Sequence, residues 1–265
     1  MQRERAFTLV ELIVVVTIII IMMAIVVPAF LSINGAQNVT KAANDIAGTL
    51  EQARAYAMGN NTYVWVGIAE VDDSVNPSVT PQVTSSAAPY GRVAIVVVAS
   101  KDGTRDYDAD NNSLTNPVWG IGAGSSIKVT NGANLMAINK LQRFENVHLA
   151  TTYASLGTTG NMTRQAPGTS YIIGNSTCSS YTPFAWPLGS ALNSASAQYN
   201  FTKVINFDPQ GVARIEFGVQ NSPIVQCMEI GLVPSHGNSV STSNPANVAA
   251  IQIDGMTGAV RIYRP

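Results

Sequence analysis

The chain has 265 residues and a formal net charge of −1, and charged residues make up only 12% of its composition. That share is about half of the ~25% that is usual for a soluble domain, and serine, threonine, asparagine and glycine fill the gap. The near-neutral charge argues against a nucleic-acid-binding protein. The composition is typical of an exported protein rather than a cytosolic enzyme.

The amino terminus is a short polar segment followed by a long apolar run. Two arginines precede the run at residues 12–31, in which only Thr17 and Pro28 are not plainly apolar. About twenty such residues can cross a hydrocarbon core of ~30 Å as a helix. Because the basic residues come first, we expect a single-pass inner-membrane protein with a cytoplasmic amino terminus and an exported carboxyl part.

Two simpler interpretations compete with a special role for this segment. A cleaved secretory signal would have an apolar core of only ~7–15 residues, ended by a small-residue cleavage site. A plain signal anchor would leave Glu11 unexplained, although a helix dipole does favour a glutamate in its first turn. Glu11 is the only charge between Arg5 and Lys41. A carboxylate beside a spanning segment is costly unless it is paired, so Glu11 is a candidate functional residue.

The string AFTLVEL at residues 6–12 resembles the cleavage and methylation motif of type IV prepilins. The resemblance implies that a membrane-embedded prepilin peptidase cuts between Ala6 and Phe7 and methylates the new amino terminus of Phe7. It also places Glu11 where the family has its glutamate. We hypothesise that the Glu11 carboxylate neutralises the Phe7 ammonium group of a neighbouring subunit in a filament, because an unpaired ion in low dielectric is costly. Pro28 would be the helix-kinking proline of the family. The family prefers glycine before the cut, where this chain has Ala6.

A second apolar pattern follows the first run. Apolar residues recur at spacings of four and three at Val39, Ala43, Ile46, Leu50, Ala53 and Ala57. This spacing is typical of one stripe on a helix. We predict a helix from about Thr8 to Met58 that stops at residues 59–61, with a kink or local melting near Pro28 and residues 34–35. The stripe would pack against the exported domain while the apolar half projects, as the pilin resemblance implies.

The pattern changes to that of β-strands after Asn61. Strand candidates lie at residues 62–68, 92–100, 126–130, 147–151, 170–173, 201–207, 213–217, 225–233 and 249–253. A turn is predicted at residues 208–211 (DPQG), and residues 253–263 suggest a closing hairpin. Segments 71–89, 158–168 and 234–247 have loop composition, and 177–198 suggests an ordered insertion.

These elements predict an α+β fold in which a long amino-terminal helix packs on a mainly antiparallel β domain. The predicted organisation is a leader at 1–6, a transmembrane and assembly helix at 7–31, its amphipathic half at 32–60 and an exported domain at 61–265. The region 53–66, with its ARAYA and VWV strings, resembles H-type minor pseudopilins and FimT-like minor pilins, as does the string INFDPQG at 205–211. The tail from 251 to 265 resembles Verru_Chthon cassette pilin-like proteins.

Two further features are candidates for a disulfide bridge and for a calcium site. Cys178 and Cys227 could form one disulfide bridge in an oxidising compartment, or could stay as two buried free thiols. The alternating carboxylates Asp106, Asp108 and Asp110 begin like a calcium loop, but positions six and twelve of an EF-hand are wrong here. A looser calcium-stabilised loop and a solvated hairpin tip are the alternatives.

The sequence contains no G-x-S-x-G, P-loop or H-E-x-x-H motif, so we expect no enzyme, and no cofactor apart from the calcium alternative. The expected function is a structural subunit, a minor pseudopilin or pilin, of a type II secretion pseudopilus or type IV pilus. Its partners would be prepilin peptidase, other pilins and the membrane, without nucleic acid. The alternatives are a minor pilin that binds a ligand in adhesion or DNA uptake, and an anchored exported domain that never polymerises.

Overall fold

The computed structural model describes residues 9–82, 91–103, 135–158, 160–179, 183–190, 192–215, 223–237, 239–240 and 247–265, and for residues 25–36 it describes the backbone alone. One long helix, α1, runs without a break over Leu9–Gly59. Its end is followed by Asn61 in the left-handed region at φ 49°, a conformation that asparagine tolerates better than most residues. The predicted helix and its stop are therefore confirmed, and local melting at residues 28–35 is not present.

Thirteen strands follow within the described residues. They are β1 Val64–Asp72, β2 Gly91–Ser100, β3 Leu135–Ala137, β4 Gln142–Glu145, β5 Val147–Leu149, β6 Phe184–Trp186, β7 Tyr199–Phe201, β8 Lys203–Phe207, β9 Ala213–Ile215, β10 Cys227–His236, β11 Ser239–Val240, β12 Ala249–Asp254 and β13 Val260–Tyr263.

Sheet 1 has the order β3-β2-β1-β8-β9, and β4 also pairs with β2 beside β3. All of its pairs are antiparallel. The β8–β9 connection is the predicted DPQG turn, in which Asp208 Oδ1 accepts the main-chain N–H groups of Gln210 and Val212, both at 2.9 Å. Gly211 takes the positive φ of 82° that the turn requires.

Sheet 2 has the order β11-β10-β12-β13, and β5 also pairs with β10. The predicted closing hairpin is β12–β13, and Asp254 Oδ1 organises its turn by accepting the N–H of Thr257 at 2.7 Å. The chain crosses from sheet 1 to sheet 2 at Asn146, which separates β4 from β5 at φ 59°.

The main core lies between the inner faces of the two sheets and α1. It contains the helix stripe together with inward residues of both sheets, such as Val66, Ile95, Ile230 and Ile251. Each sheet also carries a cover on its outer face. The β6–β7 hairpin lies on sheet 1, where a Cβ on Gly67 would come within 2.6 Å of the Phe184 ring. Short 3-10 turns at Tyr153–Leu156 and Gly160–Met162 cover sheet 2.

The α+β fold with mostly antiparallel sheets is confirmed. The strand predicted at 170–173 is wrong, because that segment is a 3-10 turn, Thr169–Tyr171, followed by a single bridge from Ile172 to Glu229. The loop predicted at 234–247 is partly wrong, since β10 continues to His236 and β11 follows. The candidate strand at 126–130 lies outside the described residues.

Candidate functional site: the amino-terminal helix

The predicted processing residues stand immediately before the described part of α1. Ala6 and Phe7 lie outside the described residues, and the helix begins two positions later at Leu9. Glu11 is in the first turn, exposed, where the unpaired N–H groups of a helix favour a negative charge. Pro28 is within the continuous helix.

The first half of α1 presents apolar side chains on every side. Every large apolar residue from Leu9 to Met23 is exposed, by fractions between 45% for Val16 and 74% for Leu9. The Thr17 hydroxyl lies 3.0 Å from the carbonyl oxygen of Ile13 and 2.8 Å from that of Val14, so its polarity is satisfied within the helix. An exposed apolar surface of this extent marks a surface that another molecule or a lipid phase covers.

A membrane crossing is a separate question from this exposure. Among the residues that the structure describes, no helix combines the length and the apolarity needed to pass through a bilayer.

The second half of α1 contrasts with the first. Val39 is 2% exposed, and the other five residues of the predicted stripe are fully buried against β10, β1, β13 and β12. Lys41, Asp45 and Glu51 lie off the stripe and are exposed, as the spacing predicts. The stripe is therefore what joins the helix to the β domain.

The far end of α1 is locked by two glycine turns. Gly211 lies against Met58 and Arg54, and Gly258, at φ 66°, lies against Arg54 and the carbonyl oxygen of Gly211. A side chain at Gly258 would overlap that oxygen. Both hairpin turns thus pack against the last two turns of the helix and fix their position.

The structure has Cys178 and Cys227 as two free, buried thiols, so the predicted bridge is not present and the alternative of two thiols describes them. Cys227 begins β10 and lies 3.9 Å from the carbonyl oxygen of Gln165. Cys178 belongs to the main core, with Lys203 nearby. Burial raises the pKa of Cys178 to about 11 and lowers that of Lys203, so both are held towards their neutral forms.

The candidate calcium ligands Asp106, Asp108 and Asp110 lie outside the described residues. Within the described ranges, no group of three or more His, Cys, Asp or Glu residues is placed to hold a metal ion. The structure does bring together one pair that the sequence spacing did not suggest, because His148 Nδ1 lies 2.7 Å from Glu70 Oε1. This contact joins β5 of sheet 2 to β1 of sheet 1.

Two ion pairs with buried arginines were also missed from the sequence. Arg164 and Glu229 are fully buried and form a bidentate pair at 2.8 and 2.9 Å, which fixes the cover of sheet 2. Arg92, almost fully buried, binds Glu145 at 2.6 Å and the loop after β1. The partners are 65 and 53 positions apart, and no local pattern joins residues at such separations.

Comparison with known proteins gives a match confined to the amino terminus. Residues 1–27 match the model of the prokaryotic N-terminal methylation motif. No curated protein and no solved structure matches the chain significantly. The matched residues include the predicted cleavage position and Glu11, and they run into the exposed apolar half of α1. The match supports a type IV pilin-like precursor, and the motif implies processing by prepilin peptidase and assembly with other pilins.

Proposed function

We propose that the chain is a minor pilin or pseudopilin, a structural subunit of a type IV pilus or a type II secretion pseudopilus. In this proposal the exposed half of α1 first anchors the protein in the inner membrane, with the β domain on the exported side. After cleavage before Phe7, the same half enters the shared helical core of a filament. It acts as a subunit and not as an enzyme.

The observation that carries the proposal is the division of α1 into two surfaces. The half from Leu9 to Met23, which lies within the matched motif, is apolar all round and exposed, whereas the half from Val39 to Ala57 packs on the domain through a single stripe. A helix that is apolar on all sides needs an apolar environment. A bilayer and a bundle of like helices both supply that environment, and a pilin-like subunit passes from one to the other.

Glu11 has a specific role in this proposal. The cut before Phe7 creates an ammonium group, and the Glu11 carboxylate of a neighbouring subunit would neutralise it in a medium of low dielectric. An unpaired charge in such a medium costs several kcal/mol, so the pair sets the axial register of subunits.

The test is the recovery of full-length variants in the filament fraction of producing cells. Glu11→Gln removes the charge with little change of shape, and we expect membrane insertion to persist and incorporation to be lost. Glu51→Gln is the matched control, because it neutralises a carboxylate on the same helix. The glutamine retains a side-chain oxygen that can accept the Val260 N–H, which Glu51 accepts at 3.1 Å. Normal incorporation of Glu11→Gln would refute the assembly role.

A further inference from the structure

A small cavity lies on the outer face of sheet 2. Its volume is about 170 Å³, roughly the space of six water molecules. Residues of β10, β12 and β13 form its floor, and Gln165 and Gln226 also line it. All of the lining residues belong to the described part of the chain, so the polar groups that a ligand would meet are defined.

The floor of the cavity includes Gln252 of β12, which is only 5% exposed. Its Nε2 atom donates to Glu229 Oε2 at 2.8 Å and to the carbonyl oxygen of Gln165 at 2.5 Å. Because both N–H groups of the amide are used, the side-chain oxygen Oε1 is left as an acceptor. The Glu229 carboxylate is neutralised by its bidentate pair with Arg164, so it adds no free charge to the cavity.

Asp254 places a negative charge on the same strand. It lies two positions after Gln252, so both side chains are on one face of β12. Its Oδ1 atom accepts the Thr257 N–H at 2.7 Å and the Thr257 hydroxyl at 2.8 Å. These hydrogen bonds hold the pKa of Asp254 below its ordinary value, and the second oxygen, Oδ2, can accept from a ligand. Strand β12 therefore offers two acceptors, one of them charged.

The neighbouring strand, β13, offers donors. Arg261 is opposite Gln252, and Tyr263 lies two positions further on, on the same face. Both residues line the cavity. A guanidinium keeps its charge and can only donate, and the Tyr263 hydroxyl can donate as well. Among the described residues, no salt bridge includes Arg261, so its charge is open to a ligand.

The spacing of the two charges selects the ligand. Asp254 and Arg261 are diagonal neighbours on paired strands, so their Cα atoms are ~7–8 Å apart, and side chains of strands stand roughly perpendicular to the sheet. A charge-assisted hydrogen bond of ~2.8 Å at each end leaves ~2–3 Å between the charged groups of a ligand. The amino nitrogen and the carboxyl carbon of an α-amino acid are ~2.5 Å apart, because a single carbon joins them.

We propose that this cavity binds the zwitterion of a small α-amino acid. The ammonium group lies against Asp254 and Gln252 Oε1, and the carboxylate lies against Arg261 and the Tyr263 hydroxyl. A ligand with one charge would satisfy one strand and leave the charge of the other without a partner. The volume limits the ligand to a small side chain, such as that of alanine. The inference goes beyond the proposed function, because it assigns a ligand site to the exported domain and does not depend on Glu11.

The test uses the full-length protein in detergent micelles and L-alanine as the probe, with binding followed by isothermal titration and by NMR. Propionate lacks the ammonium group of alanine, and ethylamine lacks its carboxylate. We expect L-alanine to bind at millimolar concentrations, and each of the other two compounds to bind at least about tenfold more weakly, because each loses a charge-assisted hydrogen bond. This comparison is made on the unmodified chain and does not depend on the folding of a variant.

Two variants assign the charges. Asp254→Asn keeps an oxygen for the Thr257 turn and removes the negative charge, and Arg261→Gln removes the positive charge. Each should weaken the binding of L-alanine by about tenfold. Asp254→Asn should not weaken the binding of propionate, and Arg261→Gln should not weaken that of ethylamine. Arg264→Gln is the matched control, because Arg264 donates to the Thr40 hydroxyl at 2.8 Å and does not line the cavity.

The site is located by the NMR signals of main-chain amides, and L-alanine should shift those of Gln252, Asp254 and Arg261. The proposal is overturned if L-alanine does not bind at millimolar concentrations, or if propionate or ethylamine binds as tightly. It is also overturned if Asp254→Asn and Arg261→Gln bind L-alanine as the unmodified chain does.

Discussion

The two halves of α1 belong to one continuous helix but are covered in different ways. The half from Leu9 to Met23 is apolar all round and exposed, and the half from Val39 to Ala57 buries a single stripe in the core. The difference lies in how apolar residues are distributed around the helix, because a stripe suits one neighbour and a full apolar surface suits an apolar surrounding. One helix can therefore serve two environments.

The largest expected contrast between the halves is in stability. Leu50→Ala leaves a cavity in the main core and should lower the free energy of unfolding of the β domain by about 3 kcal/mol. Leu12→Ala removes the same atoms from the exposed half and should change the free energy of unfolding by less than about 0.5 kcal/mol. Denaturant unfolding of the full chain in micelles measures both. Equal losses for the two variants would contradict the division of the helix.

Two glycines, Gly258 in the turn against the end of the packed half and Gly48 within that half, should respond to alanine with opposite signs. Gly258→Ala places a Cβ on the Gly211 carbonyl oxygen at a positive φ, and should destabilise by about 2 kcal/mol. Gly48→Ala is the control within the helix, where the space is open, and should stabilise by ~0.5–1 kcal/mol. Thermal unfolding of the two variants checks the opposite signs, and destabilisation of both by similar amounts would show that the turn does not lock the helix.

A smaller effect is expected where the packed half closes the β13 edge. Glu51→Ala deletes the acceptor of the Val260 N–H and should cost about 1 kcal/mol, because the bond is partly exposed to solvent. Glu51→Gln should recover most of this loss. If Gln and Ala are equally destabilising, the charge rather than the hydrogen bond is responsible.

A separate effect is a pH dependence of the core on which the stripe packs. Burial raises the pKa of Cys178 from its ordinary value to about 11, so the folded chain retains the thiol proton more firmly than the unfolded chain. This contribution to stability is complete below the ordinary pKa and is lost as pH rises towards about 11. The free energy of unfolding, measured between pH 8 and about 11, should fall as the pH rises. Cys178→Ala should reduce the slope of this free energy against pH. An unchanged slope would show that this thiol is not the cause of the fall.

The sequence predicted the features of this fold that depend on local periodicity or turn chemistry. The helix stripe, the DPQG turn and the closing hairpin were all predicted from spacing and residue type, and each is present. The central strand β2, apolar throughout, was also found, because a fully buried strand is a continuous apolar run.

The features that were missed depend on contacts between distant segments. The four residues of β4 include three polar or charged side chains, and the strand exists because β2 supplies its hydrogen bonds. The Arg164–Glu229 pair and the separation of Cys178 from Cys227 likewise follow from tertiary packing.

The most direct test of the account is mass spectrometry of the amino terminus of the native protein from its own cells. A type IV pilin-like precursor with a cut between Ala6 and Phe7 should yield a mature chain that starts with N-methylated Phe7. Recovery of the chain with an intact Met1 would contradict the account and would leave the exposed half of α1 as an anchor alone.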